Sequence, residues 1–417
     1  MSTFYRDIIK EVFSNRNIVI IAFTTSLWGI FNTGWRPFWS LYLKDELEAS
    51  IAAVGLLSMI QQSSNLLFQL PGGILADKFG RRKIIVYGTA FRVIPPLIYL
   101  LATSWIHTIP ALLVGALTSI YMPAFNAIIA DSLPTRRRGA GYGAYRMVTS
   151  LPRVFMPVVG GIIMDVLGLR RGVRTFLIGT IFASVVIIMI RWKFLKETLA
   201  MEDGKDRGAK EGSLKATLSS FDFPRTIWIM TAVATLGSFG MRIAMPFTTI
   251  YAIDIIGLTK TQLGIVQTTM NIIGTALSMP GGILSDKFGR KPMILLSRLV
   301  NPIGTWGITI AKNFQQYFLI RILAGIGGAL GGGRMGFAGG PAWQAMVADL
   351  VPRKKRGTVM GTIGTITGLV GAPSSWIGGF IWERFTPQTP YYISLILGLI
   401  ATAIFGLFVK EPKKKEE

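Results

Sequence analysis

PGGILADKFGRRK, from Pro71 to Lys83, returns almost letter for letter as PGGILSDKFGRKP from Pro280 to Pro292, 209 residues further on. That spacing is half of a 417-residue chain. Such a return in an apolar sequence points to a duplicated membrane bundle, two like-oriented halves joined by a linker. The repeat extends beyond the motif. In LWGIFNTGWRPFWSLYL, Leu27 to Leu43, the residues Pro37, Phe38 and Tyr42 map at the same spacing onto Pro246, Phe247 and Tyr251. PAFNAIIADSLPTRRRG, Pro123 to Gly139, returns 218 residues on as PAWQAMVADLVPRKKRG, Pro341 to Gly357. The longer spacing puts about nine extra residues in or near the glycine tract Gly325 to Gly340. A helix so rich in glycine is kinked or partly unwound, which membrane depth tolerates only against protein or a wet cavity.

The chain is 51% hydrophobic and 16% charged, and its apolar runs are long enough to cross a bilayer core of roughly 30 Å. The expected fold is an all-α polytopic membrane protein with about twelve transmembrane helices in two pseudo-symmetric six-helix bundles. The expected boundaries are a cytoplasmic segment at 1–16, a bundle at 17–195, a cytoplasmic linker at 196–224, a second bundle at 225–409 and a tail at 410–417. Nothing this thin in polar sequence holds a separate catalytic domain. The absence of cysteine excludes a disulfide framework and a thiolate metal site. The N-terminus mixes acids with bases and reads as a retained first helix. A net charge of +23 suggests nucleic acid, but most of the 44 Lys and Arg fall on the side that holds both termini. That is positive-inside bias, so the termini are expected in the cytoplasm, the protein in the cytoplasmic membrane, and the basic residues against lipid headgroups.

The G-x-L-x-D-K-x-G-R-R/K loop after the second span, repeated after the eighth, resembles the signature loop of the major facilitator superfamily. The resemblance implies a monomeric secondary transporter that moves a small-molecule substrate by alternating access, with no cofactor or metal, and a coupling proton or counter-anion as second partner. It also implies a cytoplasmic latch: Gly73, Asp77, Gly80, Arg81 and Arg82 in one loop, Gly282, Asp286, Gly289 and Arg290 in the other. Asp131 with Arg138, and Asp349 with Arg356, resemble the second members of these charge clusters. The loops and span order are most similar to the twelve-helix drug and proton antiporter branch. Two departures separate the chain from it: the fourth-span run ALLVGAL has no arginine, and Met156 stands where that branch carries Gly before Pro157.

Eight arginines fall inside the predicted spans: Arg36, Arg92, Arg146, Arg153, Arg242, Arg298, Arg321 and Arg334. Each costs at least about 2.5 kcal/mol at a helix centre. No Asp or Glu is expected at mid-membrane, since Asp45, Asp165 and Asp254 lie toward span ends, so ion pairing cannot satisfy most of them. Arg298 and Arg321 lie near span ends, from which they can snorkel. Arg92 and Arg298 sit on the third and ninth helices, peripheral in the family's arrangement, and are discounted as ligands. Arg36 and Arg242 stand out: Met245, the repeat equivalent of Arg36, is three residues from Arg242. An arginine pair on the first and seventh helices resembles that of organophosphate and phosphate antiporters. Arg334, Arg153, Trp35 and Phe38 complete the candidate binding set. Guanidinium forks suit carboxylate or phosphate. The competing reading has the arginines bonding carbonyls freed by Pro37, Pro246 or the glycine tract, and the aromatics packing at the lipid interface.

The expected substrate is an anionic or amphipathic organic molecule. Alternatives are a multidrug efflux antiporter for neutral or cationic compounds and, from another class, a transporter-like sensor or a lipid flippase. No nucleophile and base pair or nucleotide loop marks an enzyme.

Overall fold

The structure, a computed structural model, describes residues 10–133, 138–198, 223–330, 341–352 and 356–411, with backbone alone at 69–79, 138–140, 278–279, 282, 286, 341 and 358. Among these residues there are helices and no strands. In the first half they are α1 (Arg16–Asp45), α2 (Ile51–Phe79), α3 (Arg81–Leu101), α4 (Trp105–Ser132), α5 (Arg138–Val154 continued as Met156–Leu167) and α6 (Leu169–Phe194). The second half has α7 (Arg225–Ile255), α8 (Lys260–Ala276, then Ser278–Phe288), α9 (Arg290–Ile310), α10 (Phe314–Leu330, then Pro341–Leu350), α11 (Arg356–Gly371, then Pro373–Arg384) and α12 (Thr389–Phe408). Among the described residues nine of these helices have a continuous run long and apolar enough to cross a membrane. Of the other three, α8 and α11 are interrupted at Leu277 and Ala372, and α10 has residues 331–340 outside the described ones.

Proline causes the breaks. Pro280 and Pro373 have no N–H to give the carbonyls of Ala276 and Leu369, so α8 parts at Leu277 and α11 at Ala372. Pro37 tightens α1 into a three-residue turn at Arg36–Phe38, and Pro246 does the same to α7 at Met245–Phe247. The turns pack alike, with Phe38, Tyr42, Phe247 and Tyr251 all fully buried.

The chain divides into two compact units. The first comprises Met1–Ser50, Ile60–Met201 and Thr259–Thr268; the second comprises Ile51–Met59, Glu202–Leu258 and Thr269–Glu417. The start of α2 thus belongs to the second unit and the start of α8 to the first. Two matching sets of contacts hold these exchanged helix starts. In the first unit the Asp165 carboxylate of α5 accepts from the backbone N–H of Lys260 (3.2 Å) and Thr261 (2.8 Å) and from the Thr261 hydroxyl (2.6 Å). In the second, the Glu383 carboxylate of α11 accepts from the Ala52 N–H at 2.9 Å. A carboxylate at a helix start satisfies orphan donors and complements the dipole. Glycines allow the approach: a Cβ on Gly264 would lie 2.4 Å from the Pro157 carbonyl oxygen, and one on Gly55 2.2 Å from that of Ser375.

Each unit has its own core. Ile18, Ile21, Ile85, Ala124 and Ile128 centre the first, and Ile227, Met230, Ile294, Trp343 and Phe405 the second. Each core also encloses an arginine. Arg191 of α6 is 1% exposed, bonded through Nε to the Thr24 hydroxyl (3.1 Å) and through Nη1 to that of Thr89 (2.8 Å). Arg298 of α9, also 1% exposed, lies over Trp343 and Phe405, so it does not snorkel.

Candidate functional site

The first unit contains a cavity of about 240 Å³ walled by α1, α2, α3 and α4, with one residue of α6. The Arg36–Phe38 turn sets its polar wall. Arg36 is exposed and lines the cavity, while Phe38, 0% exposed, enters the core. Trp35, 6% exposed, lines the cavity and packs edge-on against Trp39 at 5.2 Å between ring centroids; Trp39 meets Tyr99 at 4.5 Å. The buried Nε1 of Trp35 has no hydrogen-bond partner among the described residues.

Arg36's guanidinium makes no hydrogen bond or ion pair with any described residue. Asn32, Gln61 and Asn65 add amides, and no Asp or Glu lines the cavity. Arg92 lines it too, contrary to the peripheral position expected of the third helix. The tight turn Phe91–Val93, just ahead of Pro95 and Pro96, carries it there, over the Trp28 ring at 4.1 Å. The cavity therefore offers hydrogen-bond donors, positive charge and flat aromatic walls. Together these suit an anionic group attached to an apolar or aromatic body.

The remaining predicted binding residues lie elsewhere. Arg153 is half-buried against Gly29 of α1. Arg242, in the second unit, donates from Nη1 to the Gly368 carbonyl at 3.5 Å, an oxygen that also accepts from the Ala372 N–H. Its guanidinium rests in the notch left by Gly371. Just before Arg242 on α7, Trp228, Thr235 and Phe239 line an apolar hollow of about 410 Å³ with Ile366 and Val370 of α11. Arg334 lies outside the described residues.

The two signature loops form matching charged ends. Gly80 (φ 87°) and Gly289 (φ 95°) adopt the left-handed backbone that starts α3 and α9, which explains the glycine in both copies of the loop. Arg81 pairs with Asp131, and Arg290 with Asp349. Arg356 donates through Nε to the Val351 carbonyl at 3.1 Å. The Arg82 guanidinium donates to the Trp192 carbonyl at 2.5 Å. Gly73, Asp77, Arg138, Gly282 and Asp286 lie among residues described by backbone alone.

Two acids missing from the expectation complete these ends. Glu197 accepts from the Arg82 N–H at 2.9 Å, and Glu411 from the N–H groups of Arg290 (2.7 Å) and Lys291 (2.6 Å). Their signal is a short repeat, Phe194-Leu195-Lys196-Glu197 against Phe408-Val409-Lys410-Glu411.

A sequence model of the Major Facilitator Superfamily matches residues 19–258 and again 227–417. An uncharacterized MFS-type transporter of Methanocaldococcus jannaschii is 23% identical over 400 residues, 93% of each chain. The multi-drug resistance efflux pump PmrA of Streptococcus pneumoniae is 30% identical over 199 residues, 44% of this chain and 47% of that one. Among solved structures, a bacterial homolog of the human lysosomal transporter Spinster superposes with a TM-score of 0.71 at 17% identity, covering 96% of both chains.

Proposed function

As the chain belongs to the major facilitator superfamily, we propose that this membrane transporter carries a small organic anion, amphipathic in character, and holds it in the cavity of the first unit during alternating access. The observation behind this reading is Arg36: a guanidinium open to a cavity with no acid in its walls and, among the described residues, no partner for its donors. A charge that deep is costly without a partner, and a substrate carboxylate or phosphate supplies one. Trp35, Trp39 and Tyr99 hold the apolar part of the solute. Arg242, already bonded to the Gly368 carbonyl, holds α11 against α7. Positive-inside charge supports termini in the cytoplasm and a place in the cytoplasmic membrane. The signature-loop acids and bases act as the latch of the cycle, and a proton or counter-anion provides coupling.

Export of neutral or cationic amphipathic compounds is the second reading. It draws on the drug-efflux relative and on the aromatic walls of the cavity. Proteoliposome transport separates the two. Labelled aromatic carboxylates and phosphate esters should accumulate through the wild type, and Arg36→Ala should abolish the flux. Transport of ethidium alone, undiminished in Arg36→Ala, would overturn the anion reading in favour of efflux.

A further inference from the structure

Two guanidinium groups face one small cavity, and from this we infer that the ligand carries two negative charges: a compact organic dianion with one flat apolar part. The inference rests on the reading of this cavity as the solute site.

Arg36 of α1 and Arg92 of α3 both line the cavity. Arg92 is held by stacking, with Cζ 4.1 Å from the centroid of Trp28 and 5.4 Å from that of Tyr121. Stacking engages the face of a guanidinium and leaves the N–H groups on its rim free to donate. Neither Arg36 nor Arg92 makes a side-chain hydrogen bond or ion pair with a described residue. Both line the same cavity, and no acid in its walls offsets them.

A singly charged ligand would leave one of the two cavity guanidinium groups without an anionic partner at membrane depth, where an unpaired charge is costly. A ligand with two negative charges neutralises both forks and provides acceptors for each. Size narrows the class further. At about 240 Å³ the cavity lies below the usual range of roughly 300–1,000 Å³ for drug-sized ligands. It fits a single ring with its acidic group better than a multi-ring compound.

The test uses two probes of one shape and different charge. Near pH 8 phenyl phosphate is a dianion, because the second phosphate proton has a pKa of about 6, whereas phenyl sulfate remains a monoanion. Binding of each to purified full-length protein is measured by calorimetry. The wild type should bind the phosphate at least about tenfold tighter, equivalent to about 1.4 kcal/mol. Arg92→Gln should bind the two equally, Arg92→Lys should keep the preference, and Arg36→Gln should lose both ligands. Equal wild-type affinities would overturn the dianion inference and leave the anion reading standing, as would a full preference surviving in Arg92→Gln. If neither probe binds the wild type, the anion reading falls and takes the inference with it. Should Arg92→Gln fail to elute as a monodisperse peak, the wild-type ratio and Arg92→Lys decide.

Discussion

Arg191 and Arg298 occupy the same position in their respective bundles but come from opposite helices. By the internal repeat, Arg191 of α6 corresponds to Phe405 of α12, and Arg298 of α9 corresponds to Thr89 of α3. Arg191 donates to Thr89 and Thr24 and lies over Phe125, 5.2 Å from its centroid. Arg298 lies over Phe405 and Trp343, at 5.4 and 4.9 Å, and reaches the carbonyl of Val233 at 3.4 Å. Val233 is the repeat equivalent of Thr24, and Trp343 that of Phe125. All four positions are thus preserved, with the cation moved from one helix to the other.

This exchange predicts a rescue. Arg298→Thr and Phe405→Arg should each destabilise the protein by about 3 kcal/mol, the first by opening a cavity and the second by crowding two cations. Together they recreate the arginine–threonine pair of the first unit, without the second hydroxyl that Thr24 provides there and Val233 does not. The double variant should be more stable than the sum of the singles by at least about 1 kcal/mol in detergent unfolding. Simple additivity would show that the correspondence carries no energetic weight.

The acids at the starts of α2 and α8 should contribute to stability. Asp165→Ala and Glu383→Ala should each cost about 1 kcal/mol, in the range of a lost helix cap. Gly55→Ala and Gly264→Ala should cost more, since each Cβ would collide with a carbonyl oxygen at 2.2 and 2.4 Å. Melting temperatures of the four variants check this; alanine variants at the glycines that melt like the wild type would contradict the packing.

Glu197 and Glu411 should act with the signature loops. If capping α3 and α9 holds the Arg81 and Arg290 pairs in register, Glu197→Gln and Glu411→Gln should slow turnover while substrate affinity changes less than about twofold. Asp131→Asn and Asp349→Asn should behave in the same way. An affinity loss with unchanged turnover would place these acids in solute binding.

The fold was legible because the Pro71 to Lys83 stretch recurs, and a chance recurrence of that length at half-chain spacing is negligible. The residues of the candidate cavity were legible only in part. Arg36 and Trp35 could be picked out by type and depth. Phe38, on the same helix, could not be separated from them, because the turn at Pro37 decides which side chain meets the cavity. The family position of the third helix argues against Arg92, and the Phe91–Val93 turn overrides it. Arg191 lies two residues from Lys193 and reads as one more cytoplasmic charge; only the packing of α6 on Thr24 and Thr89 reveals it as buried. Glu197 and Glu411 sit in stretches that look like linker and tail, and the Phe-x-Lys-Glu repeat alone marks them.

The most direct measurement is the melting temperature of purified wild type, Arg36→Ala and Arg242→Ala against aromatic carboxylates, phosphate esters and hydrophobic cations. A ligand stabilises the state it binds. The account predicts that anions raise the melting temperature of the wild type and of Arg242→Ala, which starts lower for loss of its bond to Gly368, and leave Arg36→Ala unmoved. Stabilisation by hydrophobic cations alone, equal in all three proteins, would contradict it.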